Sequence, residues 1–112
     1  MRHVASEQEP LSEAVFLILT SLAEEPRHGY ALIKDIAALS AHRVQLSTST
    51  LFGALRRMLD ADWIERYQTD DISRDKQSYR LTPDGRSRLT TDVDRLRTLT
   101  RAAAIRLRTK EA

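Results

Sequence analysis

The sequence has no cysteine, only three glycines and three prolines, and few aromatic residues. Without cysteine, the chain can form no disulfide framework, no thiolate zinc site and no cysteine nucleophile. Its longest apolar run, Ala14–Leu19, falls far short of the roughly 20 residues that span a bilayer. The first ten residues lack the basic start and the small-residue cleavage site of a signal peptide. We therefore expect a cytoplasmic protein that does not enter a membrane.

Catalytic and metal-binding patterns are missing as well. The histidines His3, His28 and His42 are spread over an arm, a helix start and a loop, with no carboxylate pair or serine at a recognisable spacing. The sequence has no glycine-rich phosphate loop and no pair of histidines at metal-binding spacing. We therefore expect a protein that is not an enzyme and that uses no metal or other cofactor.

The length and composition indicate one globular domain. The chain has 112 residues, of which 41% are hydrophobic and 30% are charged, which is ordinary for a folded soluble domain. The net charge is only +2, so the overall charge gives no reason to expect nucleic acid as a partner. The position of the cations decides that question, because a local patch can hold phosphates on an otherwise neutral surface.

The first sixty residues predict three helices after a flexible arm over residues 1–10. Ser12 is a good N-cap for a helix over Glu13–Leu22, and a second helix follows from His28 to about Leu39. Residues 47–50 offer several N-caps for a third helix that ends near Asp60. Its apolar residues recur at helical spacing and form the inward stripe, namely Leu51, Leu55, Met58 and Leu59.

The remaining residues predict a β-hairpin and one long helix. The segments Trp63–Gln68 and Gln77–Leu81 have the composition of strands, and a charged stretch joins them. Thr82 caps the last helix, which continues without a proline after Pro83 to about Lys110. The expected fold is mainly α, or α+β. It is a winged helix-turn-helix over residues 11–82, with a two-stranded wing and a long C-terminal dimerisation helix over residues 83–112.

A winged helix-turn-helix reads DNA with its third helix, and this helix has suitable residues. Its start is rich in hydroxyl groups, its outward face has a glycine that allows close approach, and arginines follow for phosphate or guanine contacts. The predicted DNA-binding residues of the third helix and its cap are Ser47, Thr48, Ser49, Thr50, Phe52, Gly53, Arg56 and Arg57. Those of the wing are Arg74, Lys76 and Arg80. The alternatives are a capped helix with a solvated face, and a solvated loop whose cations are diluted by three aspartates.

Three segments resemble the PadR family of transcriptional regulators, over roughly residues 11–89. His28-Gly29-Tyr30 is similar to the family's opening of its second helix, Thr50–Leu59 to its recognition helix, and Tyr79–Arg86 to the end of its wing. The resemblance implies a dimeric, repressor-like regulator, and in some members a small aromatic effector. The sequence departs from the family at two positions. Phe52 stands in place of tyrosine, so a hydroxyl contact to phosphate is lost, and Asp62 stands in place of glycine, where aspartate can still adopt a left-handed turn.

The last helix has an apolar seam that is close to a heptad repeat. Its members, with Thr100 filling one position, are Leu89, Val93, Leu96, Ala103 and Leu107. A domain of this size cannot cover the whole helix, so we expect a homodimer, to which Val15 and Leu19 of the first helix add apolar surface. The alternative is a helix that folds back on its own domain. For the whole chain, the alternatives to a sequence-specific repressor on a palindromic operator are a winged-helix protein-interaction module and a ligand-sensing regulator.

Overall fold

The computed structural model describes residues 9–67 and 77–111, without the side chains of the last two. Within these ranges, four helices and three strands follow each other in the order α1 (Glu13–Glu24), β1 (Arg27–His28), α2 (Gly29–Leu39), α3 (Thr48–Asp60), β2 (Ile64–Tyr67), β3 (Ser78–Leu81) and α4 (Pro83–Glu111). This order confirms the predicted winged helix-turn-helix. Residues 1–8 of the predicted arm, the hairpin loop and its two cations Arg74 and Lys76 lie outside the described residues.

Among the described residues the sheet has three strands, whereas the sequence predicts a two-stranded wing. All pairs are antiparallel in the order β1-β3-β2, and Tyr79 of β3 lies between Arg27 of β1 and Arg66 of β2. The prediction missed β1 because two residues are too short to show the alternation that marks a strand. The added strand joins the start of α2 to the wing.

The core lies where α1, α2, α3 and the sheet meet. α1 begins at its predicted cap, since the Ser12 side chain accepts a hydrogen bond from the Val15 N–H at 3.2 Å. The fully buried apolar residues come from α1, α2, α3 and β2 and comprise Ile18, Leu19, Leu32, Ile36, Leu51, Leu55, Met58 and Ile64. α3 also buries Ala54, while Leu59, which was predicted to point inward, is only half-buried at the edge of the stripe.

Two residues assigned to the dimer interface belong to this core instead. Leu19 is 0% exposed and Leu89 is 9% exposed within the single chain, so neither has a surface to offer to a partner. The prediction was wrong for both because apolar spacing looks the same whether a helix packs within its own chain or on another. α4 packs against α1 and β3 near its start, and Val93 is half-buried at the edge of the core.

The junction between the wing and α4 is held by a short chain of hydrogen bonds around Thr82. Its hydroxyl donates to the carbonyl of Asp62 at 2.6 Å and accepts from the N–H of Gly85 at 3.0 Å, which is the predicted cap. Its own N–H donates to the carbonyl of Trp63 at 3.1 Å. Asp62 has a φ of 63°, so aspartate occupies the left-handed turn that was expected at this position. One residue therefore ties both strand ends of the hairpin to α4.

A buried carboxylate attaches the start of α1 to α4. Asp92 is 2% exposed, accepts a hydrogen bond from the Leu11 N–H at 3.4 Å, and lies 3.1 Å from a guanidinium nitrogen of Arg95 and 3.5 Å from one of Arg88. Burial by itself raises the pKa of Asp92. The hydrogen bonds from Arg95 and Leu11, with the charges of both arginines, outweigh burial and lower the pKa below its ordinary value. The carboxylate is therefore ionised, and Arg88 also lies over the Trp63 ring at 5.5 Å.

Gly85 provides a direct test of the junction. A Cβ at this position would overlap the carbonyl oxygen of Trp63 and lie 2.8 Å from its carbonyl carbon, and both atoms are backbone that cannot turn aside. We expect Gly85→Ala to lower the free energy of unfolding by about 3 kcal/mol, as overpacking does. Urea unfolding followed by circular dichroism measures this loss.

Gly53→Ala is the matched control, because a Cβ there meets nothing closer than Arg57 at 3.9 Å. This variant should gain up to about 1 kcal/mol from the higher helix propensity of alanine. Equal stability of the two variants would contradict the proposed packing of α4 on the start of β2.

Candidate nucleic-acid interface

The hydroxyl groups at the start of α3 divide into structural and free ones. The Ser47 side chain is the N-cap, accepting from the Thr50 N–H at 3.1 Å and donating to the Thr50 hydroxyl at 3.0 Å. Thr48 and Ser49 are exposed, and their hydroxyls have no hydrogen-bond partner within the described ranges. Ser47 and Thr50 therefore shape the start of the helix, whereas Thr48 and Ser49 remain available to a ligand.

The outward face of α3 lies opposite the buried stripe and is open along its length. At 100° per residue this face contains Ser49, Gly53, Arg56 and Asp60. Ser49, Arg56 and Asp60 are exposed, and the space over Gly53 is empty up to 3.9 Å from its Cβ position. The backbone of the helix can therefore approach a flat or grooved partner closely at Gly53.

A groove runs between α3 and the wing, with a basic residue on each side. Arg56 of α3 and Arg66 of β2 both line it, together with Phe52, Asp60 and Tyr79. The register explains the position of Arg66, since it pairs with the buried Tyr79 and shares the α3 side of the sheet with Ile64. Within the part of the chain that the structure describes, neither arginine forms an ion pair.

Arg66 is not among the DNA-binding residues predicted from the sequence, although the alternation of residues along β2 indicates its position. In a strand alternate residues share a face, so a buried Ile64 places Arg66 on the same side as the core and α3. Arg80 occupies the opposite face. Its guanidinium lies 2.7 Å from the Glu65 carboxylate and 4.7 Å from the centre of the Tyr67 ring, so its charge is partly neutralised there.

The remaining predicted residues have different positions. Arg57 is exposed on the flank of α3 beside the start of α1, where it borders a cleft with Pro10 and Val15. Phe52 is 47% exposed on the other flank, and its ring contacts α2 at Gly29.

The exposed residues of α3 and the groove form one continuous surface, which we call the reading face. It comprises Thr48, Ser49, Phe52, Gly53, Arg56 and Arg66.

This arrangement of three helices, a hairpin and an exposed third helix defines a winged-helix DNA-binding protein. The model of the transcriptional regulator PadR-like family matches residues 18–91, about two thirds of the chain. The chain belongs to this family, as the sequence resemblance implied, and it is a transcriptional regulator. The family consists of regulators and not of enzymes, in agreement with the expectation from the sequence.

Solved structures show the same fold. A PadR family transcription regulator from Clostridium difficile has a TM-score of 0.71 at 22% identity, with 86% of this chain and 99% of that chain covered. A transcriptional regulator from Clostridium thermocellum has a TM-score of 0.70 at 21% identity, covering 84% and 95%. A PadR family transcriptional regulator from Eggerthella lenta is 27% identical, with a TM-score of 0.66 over 83% and 80%. The search of curated proteins found no match.

Residues 9–67 and 77–111 contain neither a membrane-spanning helix nor a metal-binding cluster. No helix there is long and apolar enough to cross a bilayer. No group of three histidine or acidic side chains is close enough together to hold a metal ion.

The position of Arg66 in the groove predicts that its guanidinium binds a DNA phosphate and so contributes to the affinity for DNA. The affinity for DNA falls as the salt concentration rises. Loss of one phosphate contact should make the plot of log affinity against log salt less steep, by about 0.9 for each bound protomer. We expect this change for Arg66→Gln on duplexes of any sequence, measured by fluorescence anisotropy between low and physiological salt.

Arg106→Gln is the control, because it removes the same charge from an exposed position far along α4. This variant should keep the wild-type slope. Equal slopes for wild type and Arg66→Gln would show that the DNA backbone does not enter the groove.

Proposed function

We propose that the chain is a homodimeric repressor that binds a palindromic operator, with α3 of each protomer in a successive major groove. The observation that carries the proposal is the reading face, which is exposed, basic and fixed in place by the buried stripe behind it. An α-helix fits the width of the major groove, and the first turns of such a helix reach the base edges.

Each part of the reading face has a role in this complex. Arg56 can donate two hydrogen bonds to guanine, and the hydroxyls of Thr48 and Ser49 can donate to bases or phosphates. The open backbone at Gly53 allows the helix to enter the groove deeply. Arg66 holds the DNA strand that passes between α3 and the wing.

The wing supplies further cations in the proposed complex. Arg80 lies on the outer face of β3, where its pairing with Glu65 leaves it a smaller share of the affinity than Arg66. Arg74 and Lys76 lie outside the described residues and stay predicted contacts to the DNA backbone or the adjacent minor groove.

Dimerisation is supported by the apolar surface of α4. Of the seven large hydrophobic side chains exposed in the described ranges, four lie on this helix. Leu96 and Leu107 belong to the seam, whereas Leu99 and Ile105 lie off it. An apolar groove between Phe16 of α1 and the seam around Val93 and Leu96 continues this surface. The exposed seam and this groove together form an apolar surface of the kind that marks an interaction site, and the near-heptad spacing suits a second copy of the same helix.

The length of α4 agrees with this interpretation. Its 29 residues extend about 43 Å, and residues beyond Val93 have little of their own domain to pack on. The proposed interface contains Val15, Val93, Leu96, Ala103 and Leu107. Burying one large side chain stabilises by about 1.5–3 kcal/mol before the costs of association are subtracted. Two protomers contribute equally, so the same side chains are buried twice in a symmetric dimer.

A symmetric protein dimer requires an operator whose two half-sites are related by two-fold symmetry. A symmetric dimer places its two recognition helices about 34 Å apart on one face of the duplex, one helical turn, so each operator half-site repeats the other in inverted orientation. A dimer bound in this way at a promoter represses by occupying the site that polymerase needs.

The experiment that tests the proposal is selection of bound duplexes from a random pool, followed by sequencing. We expect an inverted repeat with half-site centres about one helical turn apart. A pool that remains random, or one enriched in a single unrepeated half-site, would contradict a dimeric operator-binding repressor.

Leu96→Asp tests the dimer itself, since it places a charge in the centre of the seam. We expect a monomer in sedimentation and at least a ten-fold loss of affinity for the selected palindrome, because a buried unpaired charge is strongly destabilising. Ala102→Asp is the control, because Ala102 is exposed and lies outside the seam of the same helix, about 120° from Leu96. It should remain a dimer with unchanged affinity. If both variants remain dimers, the interface does not include the seam around Leu96.

A further inference from the structure

Phe52 has an unusual position for an apolar ring. It lies in the first two turns of α3, and nearly half of its surface, 47%, is exposed. Ser49 precedes it by three residues and Arg56 follows it by four, so these two residues of the outward face are its neighbours along the helix. The ring therefore lies on the border between the outward face and the groove to the wing.

One end of this ring is held by the helix-turn-helix. A Cβ at Gly29 would be 2.9 Å from Cζ and 3.5 Å from Cε1 of Phe52, so this end of the ring packs closely against the start of α2. The contact fixes one edge of the ring against α2, while the rest remains open. Phenylalanine has few rotatable bonds, so little side-chain entropy is lost when the exposed part of the ring meets a ligand.

The chemistry of the exposed part restricts what it can contact on DNA. Phenylalanine has no donor and no acceptor, so it can bind neither a phosphate nor the polar base edges by hydrogen bonds. In the major groove, the apolar group that base pairs present is the 5-methyl group of thymine, and phenylalanine is one of the residues that contact it. Contact with this methyl group would remove apolar surface of both partners from water.

We propose that Phe52 selects a T·A pair in each operator half-site by contact with the thymine methyl group. The proposal rests on the proposed function, because it needs α3 to lie in the major groove. It assigns one base pair to Phe52 beside the contacts of Arg56.

The test uses the duplex recovered by selection and replaces one thymine at a time with deoxyuridine. This change removes the methyl group alone and leaves base pairing and every hydrogen-bonding group unchanged. For the wild-type protein, we expect one thymine in each half-site where the replacement weakens binding by roughly three- to five-fold, the effect of burying one methyl group. The other thymines should be insensitive.

Phe52→Leu and Phe52→Ala complete the test, with their folding checked by thermal unfolding. Phe52→Ala should bind the thymine and deoxyuridine duplexes equally, and Phe52→Leu should keep part of the difference. No sensitive thymine with the wild-type protein, or an undiminished difference with Phe52→Ala, overturns the inference even when a palindrome has been selected. A pool without any selected palindrome instead overturns the proposed function.

Discussion

The orientation of α3 about its own axis, which its buried stripe fixes, is the constraint on which the rest of the structure depends. Leu51, Ala54, Leu55 and Met58 are each no more than 2% exposed, and this stripe can be buried in only one orientation of the helix. A helix turned by one residue, about 100°, would bring Phe52 towards the core and Leu51 towards water. Burial of apolar surface therefore determines which residues a DNA duplex would meet, although none of the buried residues touches it.

The second constraint is the junction at Thr82, which connects the reading face to α4. The hydroxyl and N–H of this residue join the turn before β2 to the first turn of α4, and Gly85 allows the two segments to touch. Asp92 adds a further connection between α4 and the start of α1. Since α4 also provides the proposed interface, these contacts would set the distance between the two recognition helices of a dimer, and with it the spacing of the half-sites.

Much of this fold could be predicted from local signals. The caps at Ser12, Ser47 and Thr82 and the apolar stripes define the helices. The left-handed turn at Asp62 was expected from the resemblance, because the family has glycine at this position. Three features needed tertiary information. β1 is too short for a periodic signal, Leu19 and Leu89 have the same spacing as interface residues, and the side of the sheet that faces α3 decides the role of Arg66. Each depends on which surfaces meet, and local sequence does not contain that information.

The most direct test of the central claim is to map the amide chemical shifts of the protein while a selected duplex is added. We expect the largest changes in α3 from Thr48 to Asp60 and at Arg66, and little change in residues 102–108 of α4. The largest changes along α4, with the signals of Ser49, Gly53 and Arg56 unmoved, would show that the reading face is not where DNA binds.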